Sequence, residues 1–403
     1  MAPNILYLHS HDTGRYVQPY GHAIPTPNIQ RLADEGVLYR QAFSAAPVCS
    51  PSRAALLTGT FGMPGLAHRG WRLADPARHI VHPLRAAGYT TAMVGEQHVM
   101  PDPREIGYDA ILDGSVAATA AAFLRTARTP FFLSAGFTET HRPYPPGEGE
   151  ALPPPHLPDA PEIRSDMADY LASARALDDG VGTVLEAVPD NTLVILTTDH
   201  GLAFPGAKAT LTDRGIGVML IIRGPGFERR VADELVSQLD LYPTICELAG
   251  IERPGWLRGR SLLNPERNDA VFAELTYHAA YEPQRAVRTK RYKYIRRFDN
   301  GHAGPVLPNI DDSPSKDYLL ARGLADRVLA PEELFDLVFD PNEANNLVDD
   351  PAYEAVLAEP RGRLLGWMQA TDDPLLHGTV APERGVELNR PDQVSPDEPT
   401  VIA

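Results

Sequence analysis

Side chains able to bind a metal, hold an anion or move a proton gather in a few short stretches of this 403-residue chain. "HSHDTGR" offers His9, His11, Asp12 and Arg15, and "GEQH" offers Glu96, Gln97 and His98. "TETHRPY" offers His141 and Arg142, and "TTDHG" offers Asp199 and His200, with Lys208 soon after. Carboxylates and imidazoles ligate divalent cations, whereas Arg and Lys hold anions. "PVCSPSRAALLTG" (47–59) adds Cys49, one of only 2 cysteines, with Pro51 and Arg53 close behind. Ser50 is a cap candidate and Pro51 a first-turn residue, which puts Cys49 at a helix start. A helix N-terminus beside an arginine favours an anion and lowers a thiol pKa. Taken alone, a free cysteine is more often a small buried residue, which is the reading given to Cys246.

These stretches need elements to position them. Each of the four polar ones follows an apolar, strand-sized run: "NILYLHS", "TTAMVG", "FFLSAGF" and "NTLVILTT". Helical patterns separate the runs, among them "TPNIQRLADEG", the alanine-rich 116–128 and "MADYLASARALDDGVGTVLEAV". Strands alternating with helices predict an α/β fold: a doubly wound, mostly parallel sheet flanked by helices. Ligands of such sheets bind outside the carboxyl ends of the strands, where the polar stretches fall. After residue 265 the pattern changes to a smaller C-terminal α+β subdomain with an antiparallel sheet. The expected division is 1–265, 266–375 and an extended, Pro- and acid-rich tail at 376–403. "PYPPGEGEALPPPHLPDAP" (143–161) reads as a loop over the end of the main sheet. "RTKRYKYIRR" reads as a strand with a solvated basic face.

Composition narrows the partners. A formal charge of −16 argues against nucleic acid, and the apolar runs are too short to span a bilayer. With no visible signal peptide the expected location is cytoplasmic. Two cysteines are too few for a disulfide framework. Whether the chain forms a homo-oligomer is left open.

Cys49-Ser50-Pro51-Ser52-Arg53 followed by "AALLTG" resembles the signature of type I sulfatases, in the alkaline phosphatase superfamily. "GYTTAMVGEQH", "TTDHG" and "ELFDLVFDPNEANNL" continue the likeness in order. "HDTGRYVQPYGH" and "YHAAYEPQRAVRTKRYKYI" are most similar to the heparan N-sulfatase (sulfamidase) branch. The resemblance implies hydrolysis of a sulfate ester or sulfamate, on a small molecule or saccharide, with release of sulfate. It implies that a formylglycine-generating enzyme converts Cys49 to Cα-formylglycine, whose hydrate is the nucleophile. By the same resemblance His11, Asp12, Asp199 and His200 hold one divalent metal. Arg53 and Lys208 stabilise charge, His98 helps expel sulfate, and His141 faces the leaving atom.

Two departures stand out. His11 replaces the usual second aspartate, so a set with two imidazoles favours Mn or another nitrogen-tolerant ion over the family's habitual Ca. In the bland alternative His11 points away and three side chains bind metal. Glu96 stands where sulfatases usually place a lysine, which sets a like charge against sulfate. Either Glu96 turns outward and Gln97 or Arg15 substitutes, or the substrate brings a cationic or less anionic group. Glu274, His278 and Arg285 are candidates to line the substrate pocket from the second subdomain, and His22, His68 and Arg69 read as surface or supporting groups. Three other functions compete: a formylglycine-dependent phosphodiesterase or phosphonate monoester hydrolase, an inactive sulfatase-like binding protein, and a hydrolase using the bare thiol.

Overall fold

In a computed structural model of the chain, which describes residues 2–61 and 72–402, the first strand explains the layering. β1 (Asn4–Ser10) is buried throughout, and its side chains alternate between two cores. Ile5 and Tyr7 face one core, with Leu57, Leu84, Leu241 and Ile245. Leu6 and Leu8 face the other, with Ile29, Leu124, Leu177 and Val181. A strand apolar on both faces needs helices on both sides, which is the doubly wound arrangement.

The other strands are β2 (Val37–Tyr39), β3 (Ala42–Phe43), β4 (Thr90–Gly95), β5 (Ala110–Leu112) and β6 (Phe131–Gly136). They continue as β7 (Thr192–Thr198), β8 (Leu220–Arg223), β9 (Arg230–Ala232) and β10 (Val236–Ser237). The 8-stranded sheet runs β5-β4-β6-β1-β7-β8-β2-β9. It is parallel except at β8, which is antiparallel to both neighbours. The helices are α1 (Pro27–Glu35), α2 (Cys49–Thr58), α3 (Val81–Ala86), α4 (Val116–Thr126), α5 (Pro161–Leu185), α6 (Asp213–Ile216) and α7 (Leu241–Ala249). Helices α2, α3 and α7 contribute to the first core, and α1, α4 and α5 to the second.

Register brings the functional ends together. His9 pairs with Gly136 on one side and Thr197 on the other, while Gly95 pairs with Gly136. The polar stretches after β1, β4, β6 and β7 therefore leave the sheet side by side. Gly136 is required there: a Cβ would lie 2.1 Å from the Glu96 carbonyl oxygen and 2.5 Å from His9 Cε1.

A second sheet, β11 (Ala270–Tyr277), β12 (Tyr281–Thr289), β13 (Tyr292–Arg297) and β14 (Glu332–Asp336), is antiparallel in sequence order. Between and after its last strands come α8 (Pro314–Leu320) and α9 (Glu354–Ala370). α9 covers one face through Leu357, Leu364 and Trp367. The other face, with Ala273, Leu275 and Ile295, packs on Phe43, Val48 and Leu211 of the main unit. The Glu274 amide also donates to the Ala45 carbonyl at 2.9 Å, so this sheet braces the segment entering α2.

Three local expectations change. The final segment is packed, not simply extended: β15 (Glu387–Leu388) pairs with β16 (Val401–Ile402), and Val386 and Leu388 are buried. The basic strand does not simply face solvent. Lys293 is fully buried and reaches Asp213 at 2.5 Å, Glu343 at 3.3 Å and the Leu211 carbonyl at 3.0 Å. Its charge is spent on the loop that carries Lys208. Finally, α2 starts at Cys49 with Val48 as its cap residue, so Ser50 lies inside the helix and is not its cap.

Candidate active site

β1 ends directly in the site. His11 and Asp12 follow its last residue, and Asp12 holds a left-handed backbone with φ +56°. His98 (φ +52°) and Ala209 (φ +60°), beside Lys208, are also left-handed. Such conformations cost free energy in non-glycine residues and persist where the surroundings impose them, as they often do at functional sites. The Asp12 amide donates to Asp199 Oδ1 at 2.9 Å, and the His200 amide donates to the same oxygen at 2.9 Å. That fixes the carboxylate of β7's end against β1's.

Asp199 Oδ2 then faces Arg53 NH2 at 3.0 Å and His11 Nδ1 at 3.2 Å. Arg53 also bonds His9 Nδ1 at 2.5 Å and the Ser10 carbonyl at 3.0 Å. Asp12 Oδ1 faces His11 Nδ1 at 2.9 Å and His200 Nε2 at 3.1 Å, and Asp12 Oδ2 takes Lys208 at 2.9 Å. Cys49 Sγ lies 3.3 Å from His200 Nε2, 3.8 Å from Asp12 Oδ1 and 3.9 Å from His11 Nδ1. One ligand atom each from His11, Asp12, Cys49 and Asp199 lie within 4.8 Å of one another. His11 points inward, toward both carboxylates, and does not turn away.

The electrostatics fit a bound cation. Burial opposes ionisation of Asp12 and Asp199, yet both carboxyls are held well below their ordinary range. Lys208, His200 and His11 do this for Asp12, and His200, His11 and Arg53 for Asp199. Burial pushes the His11 imidazole down and the Cys49 thiol well up. Lys208 stays an ammonium despite burial, because Asp12 and Asp311 outweigh it. His200 Nδ1 bonds the Gly201 carbonyl at 3.0 Å, which leaves Nε2 as the ligand atom facing the carboxylates. Two carboxylates facing two imidazole nitrogens form a donor set suited to a divalent metal.

The rings of His141 and His98 lie 4.5 and 5.7 Å from that of His11. His141, His98 and His11 line an open cavity of about 810 Å³, together with Glu96, Glu139, Arg142 and Tyr144. Of the proposed substrate contacts, Glu96 is therefore at the cavity and the others are not. Gln97 Oε1 accepts from the amides of Val99 and Met100 at 2.7 and 3.0 Å, closing its own turn. Arg15 donates to the Ala42 carbonyl at 2.8 Å and lies over Phe43. Arg285 is fully buried and bonded to Asp373 and the Leu275 carbonyl. Glu274, 4.0 Å from Arg285, and His278 are buried in the second sheet and do not line the cavity. His22 stacks on Tyr16, while His68 and Arg69 lie outside the described residues.

Sequence reasoning missed Asp311, whose carboxylate is 3.0 Å from Lys208 Nζ. It lies in "NIDDSP", where an acidic pair before Ser-Pro looks like an ordinary helix lead-in. The pairing across 103 positions has no local signature.

Comparisons with known proteins show the family. The sulfatase family profile matches residues 3–115 and 108–251, and the profile for the C-terminal part of N-sulphoglucosamine sulphohydrolase matches 206–314. The chain belongs to the sulfatase family, whose enzymes hydrolyse sulfuric esters. It is 30% identical to N-sulphoglucosamine sulphohydrolase of Homo sapiens, over 92% of this chain and 91% of that protein. It is 28% identical to an ulvan-active sulfatase of Formosa agariphila, over 94% of this chain and 82% of that one. A solved structure of a protein with its substrate D-glucosamine-2-N,6-O-disulfate superposes with a TM-score of 0.76 at 18% identity. That superposition covers 93% of this chain and 99% of the other, and it establishes the shared fold.

Proposed function

We propose that the chain hydrolyses an O-sulfated or N-sulfated saccharide and releases inorganic sulfate, with residue 49 as nucleophile after conversion to formylglycine. The observation that carries this reading is the placement of Cys49 Sγ, at the first residue of α2, against His200, Asp12 and His11. The relatives support the substrate class, since sulfated saccharides are named for several of them. Maturation by a formylglycine-generating enzyme belongs to the same proposal.

His11, Asp12, Asp199 and His200 would hold the metal, and two imidazoles favour Mn or a similar ion over Ca. When bound, such an ion neutralises charge on the sulfuryl oxygens and acts as a Lewis acid. In its formylglycine form residue 49 supplies the oxygen that takes the sulfuryl group. Arg53, fixed by Asp199, His9 and the Ser10 carbonyl, keeps positive charge beneath that oxygen. Lys208 adds a second cation. His141 Nδ1 is engaged by the Arg142 carbonyl, which leaves Nε2 to give a proton to the departing oxygen or nitrogen. His98, on the same cavity wall, is placed to take the proton that frees sulfate.

Mass spectrometry of the tryptic peptide containing Cys49, from protein made with a formylglycine-generating enzyme, tests the proposal. An aldehyde together with sulfate release from an aryl sulfate supports it, and an intact thiol with no turnover refutes it. The inward-facing His200 also favours a phosphonate monoester reading, which a higher turnover of aryl phosphonate than of aryl sulfate would select.

A further inference from the structure

The open cavity beside the reacting centre has an unusual charge pattern for a protein that must admit an anion. Every described cation near the centre is already matched to a carboxylate. Arg53 is matched to Asp199, and Lys208 is shared between Asp12 and Asp311. Arg142, which lines the cavity, forms a two-pronged pair with Asp166 at 2.7 and 2.8 Å, and its Nε donates to the Ala203 carbonyl. Glu96 and Glu139 line the same cavity; Glu96 Oε1 accepts the Gln97 amide at 3.0 Å, and neither carboxylate forms an ion pair with a described cation. The Gln97 side chain and Arg15, which might have balanced the charge of Glu96, are used inside the fold. The wall facing the body of the substrate is thus anionic by two half-buried carboxylates.

We infer that the substrate's body carries a protonated amine, and that Glu96 and Glu139 are the specificity-determining residues that select it. This rests on the sulfatase reading and narrows it to O-sulfated sugars bearing a free amino group. A sulfate ester alone meets like charge on entering, and half-buried charges are poorly screened. A zwitterionic sugar sulfate places its sulfuryl group at the metal-ligand cluster and its ammonium against the wall, so attraction replaces repulsion. The same wall rejects the N-acetylated sugar, which leaves both carboxylates uncompensated. A quaternary ammonium fits less well. Recognition of that group relies on several aromatic faces. Besides the imidazoles, the aromatic side chain among the described lining residues is Tyr144, and the Arg142 guanidinium already lies over its ring at 4.4 Å. A primary ammonium carries hydrogen-bond donors that a carboxylate on this wall can accept, which a quaternary one lacks.

The test compares glucosamine 6-sulfate with N-acetylglucosamine 6-sulfate. In formylglycine-bearing wild type, kcat/KM for the free amine is expected to be at least about tenfold higher, near 1.4 kcal/mol of discrimination. Glu96→Gln and Glu139→Gln should each bring that ratio toward one, and Glu96→Lys should invert it. Equal turnover of the two sugars, or a ratio unchanged in the variants, overturns the inference. Because turnover also depends on the sulfatase reading, calorimetric binding of both sugar sulfates to the Cys49→Ala protein is measured alongside. Tighter binding of the free amine that is lost in Glu96→Gln supports the inference even if no sulfate is released. Equal affinity, or no binding of either sugar, overturns it even if aryl sulfate is turned over.

Discussion

Lys208 Nζ lies 2.9 Å from Asp12 and 3.0 Å from Asp311, so one buried ammonium is shared by a buried and a partly buried carboxylate from distant parts of the chain. Asp12 follows the first strand, and Asp311 comes from the segment after the second sheet's β13. The cation expected to meet the sulfuryl group is therefore held in place from both units, and part of its charge is answered by Asp311.

Replacing Asp311 tests that arrangement. In Asp311→Asn the amide still occupies the space but no longer competes for the ammonium, so anion binding improves. Inhibition by free sulfate should tighten severalfold, with a matching fall in KM for an aryl sulfate, because a like charge beside an anion site weakens it. A steady-state inhibition series measures both. Weaker sulfate inhibition would show that Asp311 chiefly positions Lys208.

Arg53 offers a sharper case. Its guanidinium meets Asp199, His9 and a carbonyl at once, a planar fork geometry that the point-charge ammonium of a lysine cannot reproduce. Arg53→Lys should lower kcat roughly 100- to 1,000-fold, in line with loss of a preorganised oxyanion donor. It should also cost about 3 kcal/mol in urea unfolding, since buried Asp199 keeps less of its compensation. Retention of near-normal kcat would remove Arg53 from the catalytic group.

The doubly wound sheet and its site end were legible in the sequence for a physical reason. Runs such as "NILYLHS" are apolar on both faces, so they demand helices on both sides, and their polar C-terminal residues have only the strand ends to occupy. That rule places His11, Asp12, Asp199 and His200 at one end of the sheet, while their role as metal ligands comes from the family resemblance and Cys49 is read from its place at a helix start. What stayed hidden depends on long-range pairing. Arg285 looked available from its loop-like surroundings but is claimed by Asp373, 88 positions away. Lys293 read as solvated because strand alternation says which face a side chain takes, not what packs on it. Here both faces of the second sheet are covered, one by α9 and the other by the main unit.

A separate group, Asp240, is expected to set part of the pH dependence of stability. Asp240 is buried, and burial raises its carboxyl to about 6, against the pull of the Arg260 and Ser237 amides. Its folded value lies above the unfolded one near 3.9, so the folded state binds the extra proton. Stability from this group is present at low pH and is lost as pH rises from about 4 through about 6, by roughly 3 kcal/mol. Urea unfolding of wild type and Asp240→Asn across pH 4 to 7 measures it. The difference between the two curves should narrow or reverse as pH rises, because the variant lacks the titration, and parallel curves would assign the slope to other groups.

His11 is the residue expected to bias the choice of metal. Its Nδ1 lies within 3.2 Å of Asp199 and 2.9 Å of Asp12, so it faces the same point as the two carboxylates. An imidazole there lowers the number of hard oxygen donors, which Ca needs more than Mn does. His11→Asp restores an oxygen and adds negative charge, so Ca should gain relative to Mn. Metal-free protein titrated with each ion, followed by sulfate release, gives the two activation constants. The wild type should be activated at lower Mn than Ca, and the Ca:Mn preference of the variant should shift at least tenfold toward Ca, about 1.4 kcal/mol. An unchanged preference would mean that His11 stays off the ion and that Asp12, Asp199 and His200 hold it without help.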